Sequence, residues 1–294
     1  MNVSVIIINY NTFNLTCGCI ESVLKFTSGL SYEVILVDNA STECSPDLFA
    51  EKYPSIKLIK SSTNSGFTAG NNLGIEHATG DIILLLNSDV VLTENSILSC
   101  YNILKNDSSI GVVTCMLKFP DGTIQKQCQK FPSIKLTLIE LFRLHKLIPV
   151  ARRGKLLGGP FFDHLTDADC ESVWGTFFMF PKAILNQFEN HKLPGNFFMY
   201  SEDIMWCFLI KKAGYRIFYN ASTSVFHHWQ GSAPQDFLLA KLKNEYCFVK
   251  KYFGWVYAKT IVLLKAILYF SARMDYSPQI SRIYFTLFLK GQHA

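Results

Sequence analysis

The sequence predicts an α/β fold on a mainly parallel central sheet, followed by a C-terminal helical segment rich in basic and apolar residues. Four unbroken β-branched or leucine-rich runs carry the first part, at residues 3 to 8, 33 to 38, 56 to 59 and 81 to 86. Continuous apolar runs, unlike alternating ones, indicate strands buried on both faces. Helical stretches at about 14 to 26, 45 to 52 and 69 to 78 lie between them, each led by Asn, Ser or Thr in capping position. The order βαβαβαβ calls for right-handed crossovers. It also places ligands beyond the carboxyl ends of the strands.

Those four ends read "NYN", "DNAS", "SSTNSGFTAGNN" and "NSD". Turns favour such residues anyway, but four successive polar exits on one sheet edge point to a ligand. Beyond residue 109 the pattern loosens. "IGVVTCMLKFPDGTIQ" predicts two strands around a Pro-Asp-Gly turn, residues 133 to 157 predict a helix ending in a basic stretch, and 173 to 180 predict a buried strand. "MYSEDIMWCFLIKKAGYRIFY" then reads as a helix opened by acids, a cap at Gly214 and a strand.

With 294 residues, 49% hydrophobic and 17% charged, the chain can build a large core. Nine cysteines, an odd number without a C-x-x-C pair, mostly lie in apolar runs and read as buried thiols of a reducing compartment. The opening "MNVSVIIINYN" has no basic n-region and a short apolar run, so a cytoplasmic location is expected. The net charge of +5 is uneven: residues 241–294 hold nine Lys/Arg against Glu245 and Asp275.

Asp89 is the only charge in "LLLNSDVVL". At a strand exit it can hold a divalent cation, since Mg²⁺ or Mn²⁺ takes one or two carboxylates plus phosphate oxygens and water; it can equally cap the helix that starts near Thr93. Asp38 can accept a hydrogen bond from a base or ribose, or close an Asx-turn. There is no G-x-G-x-x-G after the first strand and no G-x-x-x-x-G-K-S/T anywhere, which disfavours a dinucleotide dehydrogenase and a P-loop NTPase. A sugar-1-phosphate nucleotidyltransferase would need basic residues and glycines after the first strand, where "NYNTFNL" stands.

The ordered blocks "VSVIIINYN", "EVILVDNAS", "NSGFTAGNNLGIEHATGDIILLLNSD", "WGTFFMFPKAIL", "FFMYSEDIMWCFLIKKAGYRIFY" and "SVFHHWQGS" resemble the inverting family 2 glycosyltransferases of GT-A fold. Within that family they look most like rhamnosyltransferase-type enzymes of bacterial O-antigen and other surface polysaccharides, over roughly residues 2 to 235.

The resemblance implies a role for each matching residue. Asn9, Tyr10 and Asn11 fall where the first loop packs on the nucleoside, and Asp38 where a carboxylate meets N3–H of uracil or thymine. Asn64, Gly66, Gly70 and Asn71 match the loop near ribose and diphosphate, and Asp89 the last acid of the metal-binding D-x-D, with Ser88 where Pro is usual. His227 or His228 matches the metal- or phosphate-facing His, His227 fitting the spacing better. Asp203 matches the general base, which takes the acceptor hydroxyl proton during in-line attack, and Glu202 stands beside it. The alternative for this pair is two first-turn acids favoured by the helix dipole. Met205 replaces an acid common in the family, and Gln230 a Gly. Trp174 and Gly175 match the acceptor side, with a core Trp as the alternative.

The implied protein is a metal-dependent transferase using Mg²⁺ or Mn²⁺. It takes a nucleotide diphosphate sugar, dTDP-L-rhamnose by subgroup or alternatively a UDP-hexose or UDP-HexNAc, and passes the sugar to a glycan acceptor carried on lipid; no nucleic acid is expected. An inactive glycan- or nucleotide-binding module is the non-enzymatic alternative. The expected organisation is a GT-A domain over 1–240, with a nucleotide-sugar half to about 110 and an acceptor half from 111, then an amphipathic segment over 241–294. "WVYAKTIVLLKAILYF", 255 to 270, is too short and too charged to span a membrane. It reads as an interfacial element on an anionic cytoplasmic leaflet, making the protein peripheral on the inner membrane, or as a helix packed in the fold or in a dimer.

Overall fold

The computed structural model describes residues 1–195, 197–229, 237–271 and 277–291. In chain order the elements are β1 (Val3–Asn9), α1 (Phe13–Phe26), β2 (Tyr32–Asp38), α2 (Asp47–Lys52), β3 (Lys57–Lys60), α3 (Phe67–Glu76), β4 (Ile82–Asn87), β5 (Val90–Leu92), α4 (Ser96–Asn106) and β6 (Ile110–Lys118). They continue with α5 (Ile134–Leu141), α6 (Val150–Leu157), β7 (Ala168–Cys170), β8 (Phe177–Pro181), α7 (Glu202–Lys212), β9 (Arg216–His227), α8 (Phe237–Phe253), α9 (Trp255–Ser271) and α10 (Ser277–Lys290).

The chain forms two compact units. The first comprises 1–129, 163–198 and 202–230; the second, 130–162, 199–201 and 231–294. In the first unit the strands make one sheet in the order β3-β2-β1-β4-β8-β6-β9-β5, with β7 also paired to β9. The β3-β2-β1-β4 half is parallel, as the buried runs predict. The far half is mixed: β8 is antiparallel to β4 and β6, whereas β6 and β9 are parallel. Val5, Ile7, Leu36, Leu84 and Leu86 are almost fully buried and pack with Ile20 and Val23 of α1 into the main core. Each such side chain contributes roughly 1.5–3 kcal/mol by leaving water.

Two glycines of α3 bring that helix onto the sheet. A Cβ on Gly74 would stand 2.5 Å from Ile6 Cγ2, and one on Gly70 3.1 Å from Ile8 Cδ1. The smallness of Gly70 therefore serves helix-on-strand packing.

Three expectations are corrected. Residues 133–157 do not form one helix: α5 and α6 flank a 3₁₀ turn at Leu144–Leu147. Arg143 at φ +54 breaks the first helix and Pro149, which cannot donate an N–H, starts the second. The second arm of the 110–125 hairpin reduces to a single bridge between Lys118 and Ile124, because both edges of β6 are already taken by β8 and β9. The strand expected from 173 begins at Phe177, leaving Trp174 and Gly175 in the loop before it.

The second unit is helical. α9 packs against α5, α8 and α10 and buries Ala258, Ile261, Val262 and Ala266 at helical spacing. Its two lysines turn inward. Lys265 pairs with Glu245 of α8, and Lys259 donates to the carbonyls of Leu287 and Phe288 at the end of α10. Among the described residues no helix is long and apolar enough to cross a membrane. All nine cysteines are free thiols, Cys44 and Cys247 half-buried and the others buried.

Candidate active site

The parallel register places the polar strand exits side by side. Asn9 pairs with Asp38 across β1 and β2, and Ile8 pairs with Asn87 across β1 and β4. Asn9 Nδ2 donates to Asp38 Oδ1 (2.8 Å) and to Ser41 Oγ (2.9 Å), while its Oδ1 accepts from Thr12 (3.0 Å) and Thr16 (2.9 Å). The Thr12 hydroxyl lies 3.2 Å from that of Ser88. Ser88, Thr12, Asn9 and Asp38 thus form one hydrogen-bonded chain across three strand exits. A proline at 88 would have no hydroxyl to join it.

Asp38 is 1% exposed, and its Oδ2 accepts from the Ser41 N–H (3.1 Å). The structure therefore gives this carboxylate a turn-closing role, with lone pairs to spare. Asn11 sits at φ +53 and its Oδ1 accepts from the N–H groups of Thr42 (2.8 Å) and Glu43 (3.3 Å), so it shapes the loop after β2. Tyr10 is exposed.

Asn64 Oδ1 accepts from Gly66 N–H (3.1 Å) and from Asn39 Nδ2 (2.8 Å). Gly66 has φ +87, and a Cβ there would lie 2.3 Å from the Phe198 carbonyl oxygen, so only glycine fits. Asn71 is buried and bonds back to the Phe67 carbonyl (3.0 Å), one turn earlier in α3.

β5, only three residues long, decides which histidine meets Asp89. It runs antiparallel to β9 with Val90 opposite His227. His227 Nε2 comes to 3.3 Å from Asp89 Oδ1, both side chains largely buried, while the His228 N–H donates to the Asp89 carbonyl (3.0 Å). The other face of the His227 ring is held by Gln125, which the sequence did not point to. Gln125 Nε2 donates to the His227 carbonyl (2.9 Å), so its Oε1 is the atom 2.7 Å from His227 Nδ1. That oxygen can only accept, so Nδ1 carries a proton and Nε2 is the ring atom turned toward the Asp89 carboxylate.

Asp89 Oδ1 and His227 Nε2 at this separation fit two neighbouring ligands of one small divalent cation. Among the described residues no group of three His, Cys, Asp or Glu could hold a metal. Two protein donors with the rest from phosphate and water is, however, the usual arrangement for Mg²⁺ at a phosphate site.

The ring of Trp229 lies 5.7 Å from that of His227 and 5.1 Å from that of Trp174. Trp229 is half exposed with φ +49. Trp174 also packs against the core, as the alternative for it expects. The next residue, Gly175, donates its N–H to Asp203 Oδ2 (3.3 Å), and the Trp174–Gly175 step connects the Asp89–His227 pair to the start of α7. Asp203 Oδ1 also accepts from the Ile204 N–H (2.8 Å).

Glu202 is only 6% exposed, and its Oε2 has no hydrogen-bond partner among the described residues. Burial first and the neighbouring Asp203 second push its carboxyl up to about 8. Tyr200 and Ser201, just before it, both have positive φ, a costly pair for non-glycine residues. Met205 is fully buried, so an acid there would have to enter the core. Gln230 lies outside the described residues.

A sequence model described as Glycosyl transferase family 2 matches residues 4–188. The chain belongs to that family. Over 242 residues, 76% of each chain, it is 24% identical to an N-acetylglucosaminyl-diphospho-decaprenol L-rhamnosyltransferase of Mycobacterium tuberculosis. Over 114 residues it is 33% identical to a poly(ribitol-phosphate) beta-glucosyltransferase of Bacillus spizizenii, covering 37% of this chain but only 18% of that protein. The solved mannosyltransferase PcManGT of Pyrobaculum calidifontis, in complex with GDP-Man and Mn²⁺, aligns with all of this chain and 75% of its own at TM-score 0.58 and 16% identity. At that identity the likeness shows the GT-A fold. As a family 2 chain, this one carries its matched region over β1–β8, and Asp203 and His227 lie beyond it.

Proposed function

We propose that this family 2 protein is an inverting, metal-dependent glycosyltransferase. It would move a sugar from a nucleotide diphosphate to a hydroxyl of a lipid-linked glycan in surface polysaccharide synthesis. The observation that carries the reading is the convergence of Asp89 and His227 at one end of the Trp174–Gly175 step and Asp203 at the other. A diphosphate leaves at one end, and a base is needed at the other, on the opposite side of the anomeric carbon.

Asp89 and His227 would hold Mg²⁺ or Mn²⁺, which supplies positive charge to the leaving diphosphate when bound. Asp203 accepts the acceptor hydroxyl proton as the new glycosidic bond forms and the bond to the diphosphate breaks. Its hydrogen bond from Gly175 orients the carboxylate, and Trp174 offers a face to the acceptor sugar. Asn9, Tyr10, Asn11 and Asp38 form the nucleoside end; Asp38 would read the base with a lone pair not used by Asn9 or Ser41. Asn64, Gly66, Gly70 and Asn71 shape the ribose and diphosphate side. The resemblance to an L-rhamnosyltransferase over most of both chains supports dTDP-L-rhamnose as donor. The shorter but closer likeness to a beta-glucosyltransferase favours a UDP-hexose as the second reading.

The test is thermal unfolding with Mn²⁺ and a panel of dTDP-, UDP- and GDP-sugars, followed by transfer assays with the stabilising donor. Binding to the native state raises its stability by mass action. Asp203→Asn should keep that stabilisation and lose about 10²- to 10⁴-fold in transfer rate. Stabilisation by no nucleotide sugar would remove the donor site, and full transfer by the variant would remove the base.

A further inference from the structure

From Leu141 to Phe162 the chain carries Arg143, Lys146, Arg152, Arg153 and Lys155 and not one acid. Charge counts over long stretches hide this run, because acids elsewhere in the first 240 residues outnumber the bases. It forms the end of α5, the 3₁₀ turn and α6, all within the helical unit. Arg143, Lys146, Arg152 and Lys155 are exposed. Arg153 is used internally: its Nε donates to the Ile148 carbonyl (2.8 Å) and a terminal nitrogen to that of Lys146 (3.3 Å), tying the turn to the helix.

Among the cations stand exposed apolar side chains: Phe142 is 65% exposed, Leu147 81% and Val150 75%. Isolated exposed apolar residues are ordinary. Three such side chains on one short basic segment, held in place by Arg153, are not. Side chains this exposed project from the surface, as needed to enter the boundary between headgroups and acyl chains, while the flanking cations meet lipid phosphates. The lysines of α9 offer no such surface, since Lys259 and Lys265 are engaged inside the unit.

We infer that residues 142–156 are the surface by which this protein lies on an anionic lipid bilayer. The inference deepens the lipid-linked acceptor reading and rests on it for its setting. Its occupant is a membrane surface, chosen by charge complementarity together with projecting apolar groups. A purely electrostatic partner such as RNA would leave Phe142, Leu147 and Val150 without a role.

The experiment is co-sedimentation of the full chain with vesicles of phosphatidylcholine alone and of phosphatidylcholine mixed with phosphatidylglycerol. Stabilisation by the donor nucleotide is read on the same samples. The chain should sediment with the mixed vesicles, stay in solution with the neutral ones and be released as salt rises. Replacing Arg143, Lys146, Arg152 and Lys155 with Gln should lower partitioning on the order of several hundredfold, since each basic group near an anionic surface contributes roughly fivefold. Leu147→Ser with Val150→Ser should also lower it, whereas Ile267→Ser with Phe270→Ser on α9 should not. Unchanged unfolding temperatures confirm that the variants fold.

Failure of the wild-type chain to sediment with mixed vesicles would overturn the inference. So would unaltered binding by the Gln variant, or a self-association abolished by Leu147→Ser with Val150→Ser. Loss of vesicle binding with nucleotide stabilisation intact would fault this surface alone. Loss of nucleotide stabilisation in the wild type would fault the donor site instead.

Discussion

Asp89–His227 in the sheet unit and Glu245–Lys265 in the helical unit each set an acid against a base largely out of water, and they are built differently. In the first, Gln125 meets Nδ1 of the imidazole and leaves Nε2 toward the carboxylate, the two atoms that would hold a cation under the proposed function. In the second, the ammonium supplies the positive charge itself. Burial alone would lower the Lys265 basicity, but Glu245 and then the Tyr284 phenol reverse this and hold it above its ordinary range. An open pair of donors can serve a ligand, and a closed pair can serve only the fold. Glu202 is a third case, a buried acid whose nearest charged neighbour is another acid.

The sharpest way to separate the first two pairs is Asp89→Ala. Under the proposed function Asp89 holds the metal, so its loss should lower transfer on the order of a thousandfold, the scale of several kcal/mol of charge stabilisation. The unfolding temperature without metal should change little, because on this reading the carboxylate serves a ligand and not the fold. A large loss of stability would show that the pair is structural, like the other.

Glu245→Ala should behave in the opposite way. It strands a buried ammonium, which costs about 3–5 kcal/mol, and adding Lys265→Met should restore most of the stability, since an apolar pair can replace a buried ion pair. Chemical denaturation of the single and double variants measures this. Equal stability of Glu245→Ala and wild type would mean that the pair is solvated.

Next comes Gln125→Leu, which removes the group fixing the His227 tautomer while the ring stays enclosed. Outer-shell partners of this kind typically alter metal affinity by 10- to 100-fold. Mn²⁺ titration followed by electron paramagnetic resonance should show a weakening in that range, with apo stability little changed. Unchanged Mn²⁺ affinity would break the tautomer argument.

The last prediction concerns Glu202, where the effect depends on pH. Its folded-state carboxyl, pushed up to about 8 from an ordinary value of 4.5, keeps a proton that the unfolded chain releases. Stability contributed by the neutral form is complete below about pH 4.5 and is lost as pH rises toward 8. Glu202→Gln should flatten this dependence, raising the unfolding temperature at pH 8 and hardly at all at pH 4. Equal shifts at both pH values would place the proton elsewhere.

How much of this was legible depended on the range of the interaction. The β1–β4 half was readable because continuous apolar runs and capping residues are local signals, and Asn9 beside Asp38 follows from two strands in parallel register. β5 escaped because three residues carry no period. Gln125 escaped because the pattern around Pro120 and Gly122 reads as a hairpin arm, and only the occupied edges of β6 turn that segment aside. The 133–157 stretch predicts one helix, but Arg143 in the left-handed region and Pro149, which has no N–H to give, divide it.

Local sequence specifies the parallel half of the sheet, the polar edge of its strands and the acids available there, because burial on two faces and turn chemistry are written in neighbouring residues. Tertiary structure decided which histidine meets Asp89, which residue holds its ring, and which cations face outward. His227 and Gln125 are 102 residues apart, and Lys265 finds Glu245 on another helix. Side chains so distant in sequence are brought together only when strands and helices pack, and no local pattern records which of them will meet.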